Sequence, residues 1–431
     1  MNFTGLSLDQ APPLSAPARF FITAPIFGMI AALLMLWTDP LLLLSRYSIE
    51  SIAITHFFTI GMFSIVMLGA LQQMLPVLAG VSLPKAAATA AFSHIFIVFG
   101  TIFMVLGLWL HNQLFTILAA VGLGVGFFSI LIVIVLAMKK ITFFTPTVKA
   151  MMTAVAFAFV IVLLGLHLLG AHATNNLGNM HMALANIHSV WAIFGFAGIL
   201  IIGVAFQMLP MFYVTPHFRK FYNNVVIPLI MFGLSAWMIS QIYLPEFAIT
   251  GKLVVTLFFL AFATAIIKKL KERRRPVMDV TVWYWILSAV SLALGMLLWI
   301  ADSYLETDVI MIVAVLIGGG FILSVMNGML YKIIPFLVWF HLNGSGYMNI
   351  PTMREMIYEK MAKIQFGLHL LTLISFISFF WIPFMLKVAA IILFFSMLLL
   401  EINLLIALNH YRIIKKREPD FVMDMNFKEQ T

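Results

Sequence analysis

The side chains of this chain that could do chemistry are mainly imidazoles. Its 431 residues include 11 His, 29 Met and 16 Asp and Glu, but no Cys. The lack of Cys excludes disulfides, thiolate-bound zinc, iron–sulfur clusters and a cysteine nucleophile. The sequence contains no glycine-rich phosphate loop and no nucleophile triad. Metal ligation by neutral imidazole, with the thioether of Met as a second donor, is therefore the chemistry that the composition favours.

Helices that cross a membrane must position these side chains. Hydrophobic residues make up 63% of the chain and charged residues only 10%, against about half and about a quarter in soluble domains. This balance excludes a water-soluble enzyme and a disordered protein, and it predicts a polytopic membrane protein of the all-α class in contact with the lipid bilayer. Stretches of about 20 apolar residues can cross a bilayer as helices. Twelve are predicted, at residues 20–38, 52–74, 87–110, 114–137, 148–171, 186–208, 223–244, 250–268, 281–301, 309–331, 362–383 and 386–408.

The positive charges predict the orientation of these 12 transmembrane helices. All but three of the 25 Lys and Arg fall in the N-terminal tail, after even-numbered spans or in the C-terminal tail, and we call that side the basic side. The opposite side carries only Arg46, Lys252 and Lys387. Basic residues favour the cytoplasm, so both termini are expected to be cytoplasmic in a bacterial inner membrane. The net charge of +9 thus reflects topology, and no nucleic acid is expected as a partner.

A threefold internal repeat is predicted from the spacing Gly-x7-Gly-x6-Pro. It occurs once in each of spans 2, 6 and 10, and the first two copies share the tetrapeptide Gln-Met-Leu-Pro. The residues are Gly61, Gly69 and Pro76, then Gly195, Gly203 and Pro210, then Gly320, Gly328 and Pro335. Gly and Pro are common in membrane helices, but three matches at the same place favour three pseudo-threefold four-helix units. The predicted divisions are a tail at 1–19, units at 20–138, 139–269 and 270–410, and a tail at 411–431.

This plan resembles a known superfamily. Twelve helices in a threefold arrangement, with both ends inside, resemble subunit I of the haem–copper oxidase superfamily over the whole chain. The segment Thr-His-Phe-Phe-Thr-Ile-Gly at residues 55–61 is similar to the His-x-x-Thr-x-Gly stretches of NnrS-type haem- and copper-containing membrane proteins. These resemblances imply haem b as a cofactor and copper as a second candidate. They also imply His56 as a haem ligand, because span 2 of the superfamily carries one near the outer face.

Four histidines are predicted to bind the cofactor. His56 and His188 are expected near the opposite side in spans 2 and 6, and His94 and His369 lie deeper in spans 3 and 11. Span 10 contains no His, so the partner of His56 would be one of the other three. His56 stands five residues before the first repeat glycine and His188 seven, a difference of about 200° of helix rotation. The two either serve one site from different angles or belong to different sites.

A second group of histidines is predicted as metal ligands. His167, His172 and His181 follow one another at the end of span 5 and in the next connection. The tripeptide Met180-His181-Met182 favours copper, because thioether and imidazole suit that soft metal. Hydrated interfacial side chains are the alternative.

Glu401 is the deepest carboxylate, and an intramembrane acid predicts a proton path. A neutral, hydrogen-bonded carboxyl is the alternative. Three functions remain open. The first is a haem protein in respiratory electron transfer or in nitric oxide or oxygen handling, served by a quinol or a periplasmic electron carrier, with oxidoreductase as the enzyme class to test. The others are a proton-coupled secondary transporter and a copper-handling or respiratory-enzyme assembly factor. The sequence identifies no catalytic residue.

Overall fold

The computed structural model describes residues 10–274, 277–306 and 309–420, and all regular secondary structure in these ranges is helical. Twelve helices are long and apolar enough to cross a membrane, which confirms the predicted fold class. We number them α1 to α12 in chain order. They are Ser15–Trp37, Ile49–Ala79, Ala86–Trp109, Gln113–Met138, Pro146–Ala173, His181–Tyr213, Tyr222–Tyr243, Pro245–Lys271, Val280–Ala301, Ile310–Gly344, Glu359–Phe379 and Met385–Ile414. The predicted tails lie in part outside the described residues.

Several helices extend beyond the stretches predicted from hydropathy. α1 begins at Ser15, five residues early, because Pro17 stands in its first turn, where the missing N–H group costs nothing. The even-numbered helices α2, α6 and α10 all continue through the prolines of the predicted repeat. Membrane helices tolerate such prolines because neighbouring groups satisfy the freed carbonyls. The prolines are therefore internal to these helices and do not end them.

Each of these three even-numbered helices contains a π-helical segment. The segments are Thr59–Ser64 in α2, Trp191–Gly198 in α6 and Val315–Leu323 in α10. The first glycine of every predicted repeat lies inside its segment. A shorter π segment, Tyr222–Val226, opens α7. Such wide turns are rare and are often found at functional sites.

The repeat glycines mark where each even-numbered helix packs on the helix before it. A Cβ atom added to the first glycine of each repeat would overlap a side chain of the preceding helix. A Cβ atom added to the second glycine would overlap another side chain of that same helix, seven residues before the first one. The pairs are Gly61 with Phe27 and Gly69 with Phe20, Gly195 with Phe157 and Gly203 with Ala150, and Gly320 with Ser291 and Gly328 with Tyr284. Three helix pairs therefore pack with one register. The repeat of whole four-helix units stays a prediction.

α2, α6 and α10 meet at the centre of the molecule on the basic side. A central cavity there is lined by residues of these three helices alone, including Met74, Met208 and Leu337. It encloses about 510 Å³ of empty space, counting the part that opens to solvent. The first and last helices are also neighbours, because Gly28 of α1 packs on Met397 of α12. The other nine helices thus surround a central group of three.

Candidate functional site

α2 and α6 bring two of the predicted cofactor ligands together. His56 and His188 are each the eighth residue of their helix, counted from Ile49 and His181. Their ring centres lie 6.3 Å apart, and the ring planes are inclined by 20°. The π segment of α6 is two residues longer than that of α2, which matches the difference in their spacing from the repeat glycines. Of the two arrangements that the sequence left open, the structure has both rings at one place.

Backbone carbonyls determine which nitrogen of each ring is free. Nδ1 of His56 lies 2.7 Å from the carbonyl oxygen of Ile52, and Nδ1 of His188 lies 3.1 Å from that of Ile161. A carbonyl can only accept a hydrogen bond, so both Nδ1 atoms must carry the proton. In a neutral imidazole the other nitrogen, Nε2, then holds a lone pair. Within the described residues neither Nε2 has a hydrogen-bonding partner, so both rings are ready to ligate a metal.

α5 supplies the wall against which His188 rests. The ring lies over Gly165, where an added Cβ would come within 3.0 Å of Cε1 of His188. Ile161 and Gly165 are one turn apart on this helix, and His172 lies two turns beyond Gly165 on the same face. This face of α5 therefore fixes one imidazole and presents another. His172 is close enough to His56 for charges on the two rings to interact.

The predicted metal ligands lie beside this pair, towards the opposite side. The ring centres of His172 and His181 are 5.2 Å apart, with an interplanar angle of 79°. His167, Met180 and His181 line an open cavity of about 930 Å³, counting the part that opens to solvent. No three His, Asp or Glu side chains in the described ranges lie close enough to hold one metal ion. A metal here would need Met as well as His.

Arg46, three residues before α2 begins, makes a hydrogen bond to α6 at the same end. Its Nη2 donates a 2.6 Å hydrogen bond to Oδ1 of Asn186, two residues before His188, and its guanidinium lies over the Tyr47 ring. The other two cations of the opposite side, Lys252 and Lys387, have partners of their own. Lys252 pairs with Asp302 at 3.8 Å, and Lys387 donates to carbonyls at the end of α1. Arg46 has no carboxylate partner in the part of the chain that the structure describes.

His94 does not join the pair. Its Nε2 lies 2.8 Å from Oγ1 of Thr23, whose hydroxyl donates to the carbonyl of Arg19. Since the Thr23 proton is already used, His94 must donate from Nε2, and its ring also packs on Phe20. Phe20 packs at the level of Gly69, thirteen residues from His56, which is roughly 20 Å along a helix. These contacts are those of a structural hydrogen bond.

His369 and Glu401 are also separate from the pair. His369 is fully buried in α11, and its Nε2 lies 2.8 Å from Oγ of Ser324. Glu401 is only 7% exposed, and its Oε2 has no hydrogen-bonding partner in the described chain. Met397, one turn before Glu401, contacts Gly28 of α1, so Glu401 lies towards α1. Its role in a proton path stays a prediction.

The charged residues of the basic side form their own contacts. Asp279 caps the start of α9 and pairs with Lys332 of α10 at 2.5 Å. Burial raises the pKa of Asp279, but the Lys332 ammonium and hydrogen bonds from Thr281 and Val282 outweigh this and hold the pKa below its ordinary value. Asp279 is therefore ionised at neutral pH. This ion pair lies at the other end of the helices from the imidazoles.

Sequence reasoning missed the groups that orient the two rings. Ile52 and Ile161 act through their carbonyls, which any residue type carries, so no side-chain pattern indicates them. Gly165 could have been noticed as a glycine in a membrane helix, a residue that allows close approach. Arg46 could have been noticed as one of three cations on the opposite side. Neither observation alone would have predicted the contact.

Comparison with known proteins finds no family model that matches this chain and no curated protein with a matching sequence.

Proposed function

We propose that this chain is a b-type haem membrane protein of the bacterial inner membrane, with a haem–copper-oxidase-like scaffold, that works in respiratory electron transfer. His56 and His188 would hold the haem. The haem is of b type because a chain without Cys cannot form the thioether bonds of c-type attachment. When bound, the haem supplies a one-electron redox couple.

The separation of the two rings is the observation that carries this proposal. A metal about 2.0 Å from each ring nitrogen, which is itself about 1.2 Å from the ring centre, places two imidazoles on opposite sides of the metal with centres about 6.4 Å apart. The ring centres of His56 and His188 are 6.3 Å apart. Both rings also present an unprotonated Nε2, which is the form that binds iron.

The surroundings of the pair favour a flat apolar group. Phe57 follows His56 and packs on Phe27 with ring centres 5.6 Å apart. Trp191 lies one turn after His188 and packs edge-on against Phe157 at 5.0 Å. Arg46, which lacks a carboxylate partner in the described ranges, stands at the same end. A macrocycle with two carboxylates would find apolar contacts and one cation there.

Two imidazole ligands favour electron transfer over gas handling. If His56 and His188 both held the haem iron, they would leave no position for nitric oxide or oxygen. A gas could bind only if one ring left, and each ring is held by its own carbonyl bond. Each ring belongs to the eighth residue of its helix, which is about 10 Å along the helix from its first residue on the opposite side. A periplasmic carrier or a quinol that docks on that side would therefore exchange electrons with it.

The threefold scaffold is part of the same proposal. It is supported by three π segments that contain equivalent glycines. It is also supported by three helix pairs that pack in one register. The resemblance to haem–copper oxidases leads us to expect redox cofactors between even-numbered helices, and the pair joins two of these helices, α2 and α6.

Optical and electron paramagnetic resonance spectra of protein purified from haem-replete cells test the haem proposal. We expect sharp b-type bands in the reduced-minus-oxidised spectrum and a low-spin signal of bis-imidazole haem. His56→Ala and His188→Ala should each lose haem, whereas His217→Ala, an exposed His of the basic side, should retain it. A colourless wild-type protein, or full haem content in both ligand variants, would rule the proposal out.

A copper site is the second candidate, favoured by the spacing of His172 and His181. Two imidazoles that bind one metal at a tetrahedral angle have ring centres about 5 Å apart, and these are 5.2 Å apart. Met180 lines the same cavity as His181 and could add a thioether, which selects copper(I) over zinc. Metal analysis of His172→Ala and His181→Ala, with His217→Ala as the control, separates a copper protein from a protein that holds haem alone.

A further inference from the structure

Equivalent residues of three helices line the central cavity on the basic side. α2, α6 and α10 each contribute the residues that stand two positions before, one position after and two positions after the repeat proline. The residues one and two positions after the proline are Val77 and Leu78, Met211 and Phe212, and Phe336 and Leu337. The cavity therefore lies where the three helices that carry the repeat converge, close to their ends on the basic side.

The wall of this cavity includes apolar side chains that other described residues cover only in part. Val77, Leu78, Met211 and Phe212 are all of intermediate exposure, although they belong to the central helices and not to the lipid-facing ones. Exposed apolar surface of this kind marks interaction sites, and the empty space of about 510 Å³ has the size of a ligand pocket, about 300–1,000 Å³. Because nine other helices surround the three, we expect an occupant to enter from the basic side.

Gln73 indicates the chemical class of the occupant. It is the one polar residue of the described chain that lines the cavity. The residue is 5% exposed, and its Oε1 has no hydrogen-bonding partner within the described ranges. Buried polar atoms in proteins are nearly always hydrogen-bonded. A peptide backbone has N–H groups that can donate to this oxygen, whereas a hydrocarbon chain has none. The cavity therefore favours a peptide segment with apolar side chains.

The chain leads into α1 beside this cavity. Phe27 of α1 packs at Gly61 of α2, and Phe20 packs at Gly69, so a step towards the start of α1 matches a step towards the end of α2. Two further turns, about seven residues, reach residue 13 on the first side and residues 76 and 77 on the second. Val77 belongs to the cavity wall. The segment that precedes α1 therefore starts next to the cavity.

The first nine residues have the composition that the cavity favours. They precede Gln10, lie outside the described residues and are here called the N-terminal segment. Its only ionisable side chain is that of Asp9, and the chain has no Lys or Arg before Arg19. Nine residues reach at most about 30 Å when extended. Four of the nine are apolar, namely Met1, Phe3, Leu6 and Leu8.

The C-terminal segment is less suited to the cavity. The described chain ends at Asp420, whose Oδ2 accepts hydrogen bonds from the backbone N–H groups of Met348 and Asn349 at 2.8 and 3.3 Å. Met348 is 72% exposed and stands eight residues after Phe340, the last wall residue of α10. Burial of charged groups without partners is costly. Residues 421–431 carry three such side chains, Asp424, Lys428 and Glu429.

We propose that the N-terminal segment binds in the central cavity, with Phe3 against Phe212 and with a backbone N–H group that donates to Oε1 of Gln73. The segment then covers the apolar wall that the helices leave partly exposed. It also joins α2, α6 and α10 at the end where their repeat prolines stand. This proposal does not depend on haem, because the cavity lies at the other end of the helices from His56 and His188.

Pairs of cysteines test the position of the segment, because the chain contains no native Cys. Thr4→Cys leaves Phe3 in place, and a short bismaleimide should link it to Phe212→Cys, as read by mass spectrometry of the linked peptides. Thr4→Cys with Phe143→Cys is the control, because Phe143 is 74% exposed between α4 and α5 on the same side. No link to Phe212→Cys, or an equal link to Phe143→Cys, would overturn the proposal. A link from Phe427→Cys to Phe212→Cys would then identify the C-terminal segment as the occupant.

The rate at which a maleimide labels Val77→Cys in opened membranes tests occupancy of the cavity. Removal of residues 2–9, or Phe3→Asp in the full chain, should raise this rate about tenfold, as expected if the segment occupies the cavity about nine-tenths of the time. Thr142→Cys, an exposed position of the same side, is the control, and its rate should not change. If Val77→Cys reacted equally fast with and without residues 2–9, the N-terminal segment would not be the occupant.

Discussion

At the scale of single residues, two backbone carbonyls prepare the paired imidazoles before any ligand arrives. The bond from His56 to Ile52 is local, since both residues lie on α2 one turn apart. The bond from His188 to Ile161 joins α6 to α5, so it forms only when these helices pack. Partners of this kind fix the tautomer and the orientation of metal-binding histidines.

Gly165→Ala tests how closely α5 holds the His188 ring. The new Cβ would lie 3.0 Å from Cε1 of His188, so the ring must move away from the Ile161 carbonyl. We expect the affinity of the apo-protein for added haem to fall about tenfold, as is typical when a supporting contact of a metal ligand is lost. Gly170→Ala on the same helix is the matched control, because nothing lies within 4 Å of its added Cβ. Equal losses in the two variants would contradict the proposed role of Gly165.

The sequence predicts four candidate cofactor ligands but cannot distinguish among them. They are His56, His188, His94 and His369. All four are imidazoles in apolar helices, and their hydrogen bonds decide the difference. The partner of His94 is 71 residues away and that of His369 is 45 away. The direction of a ring in such a contact depends on how two helices pack, which no spacing within one helix contains.

At the scale of helices, the π segments change the angle around the helix axis between each histidine and its repeat glycine. A residue in a π turn advances by a smaller rotation than a residue in an α-helix. A rotation counted at 100° per residue from His56 to Gly61, or from His188 to Gly195, is therefore wrong where a π segment lies between. For this reason the sequence could not decide whether the two histidines share a site. Hydropathy predicted all twelve helices, because a membrane-spanning helix needs only length and apolar side chains.

Gly203→Ala tests the packing of α6 on α5. Its added Cβ would overlap the Cβ of Ala150, and overpacking of this kind costs about 1–3 kcal/mol. We expect a lower temperature of thermal unfolding in detergent, measured by tryptophan fluorescence. The double variant Gly203→Ala with Ala150→Gly restores the space on the other helix and should recover most of the loss. Failure of the second substitution to compensate would show that the two helices do not meet there.

At the scale of the whole molecule, the paired imidazoles and most of the cations lie at opposite ends of the helices. The paired histidines and the open cavity beside His181 belong to the side with three Lys and Arg, whereas Lys332 and Asp279 belong to the basic side. The proposed redox chemistry would therefore lie at the end of the helices away from most of the cations. The charges predict which of the two ends is cytoplasmic, because orientation follows the count of basic residues.

Single cysteines test this orientation, since the chain contains no native Cys to interfere. Asn179, in the connection between α5 and α6, and Thr142, between α4 and α5, are both exposed. In intact cells a membrane-impermeant maleimide should label Asn179→Cys at once and Thr142→Cys only after the membrane is opened. Gel-shift detection of the label reads both. The reverse labelling pattern would show that the protein has the opposite orientation in the membrane, with the paired histidines near the cytoplasmic side.

The contact between α1 and α12 has a consequence for biosynthesis. Nζ of Lys387 donates to the carbonyls of Leu36 and Thr38, and the bonded residues are about 350 positions apart in the chain. During translation the first helix therefore enters the bilayer long before its partner leaves the ribosome. Until then its final carbonyls depend on interfacial water or on an insertion factor. The contact between α1 and α12 can therefore form only after Lys387 has been synthesised.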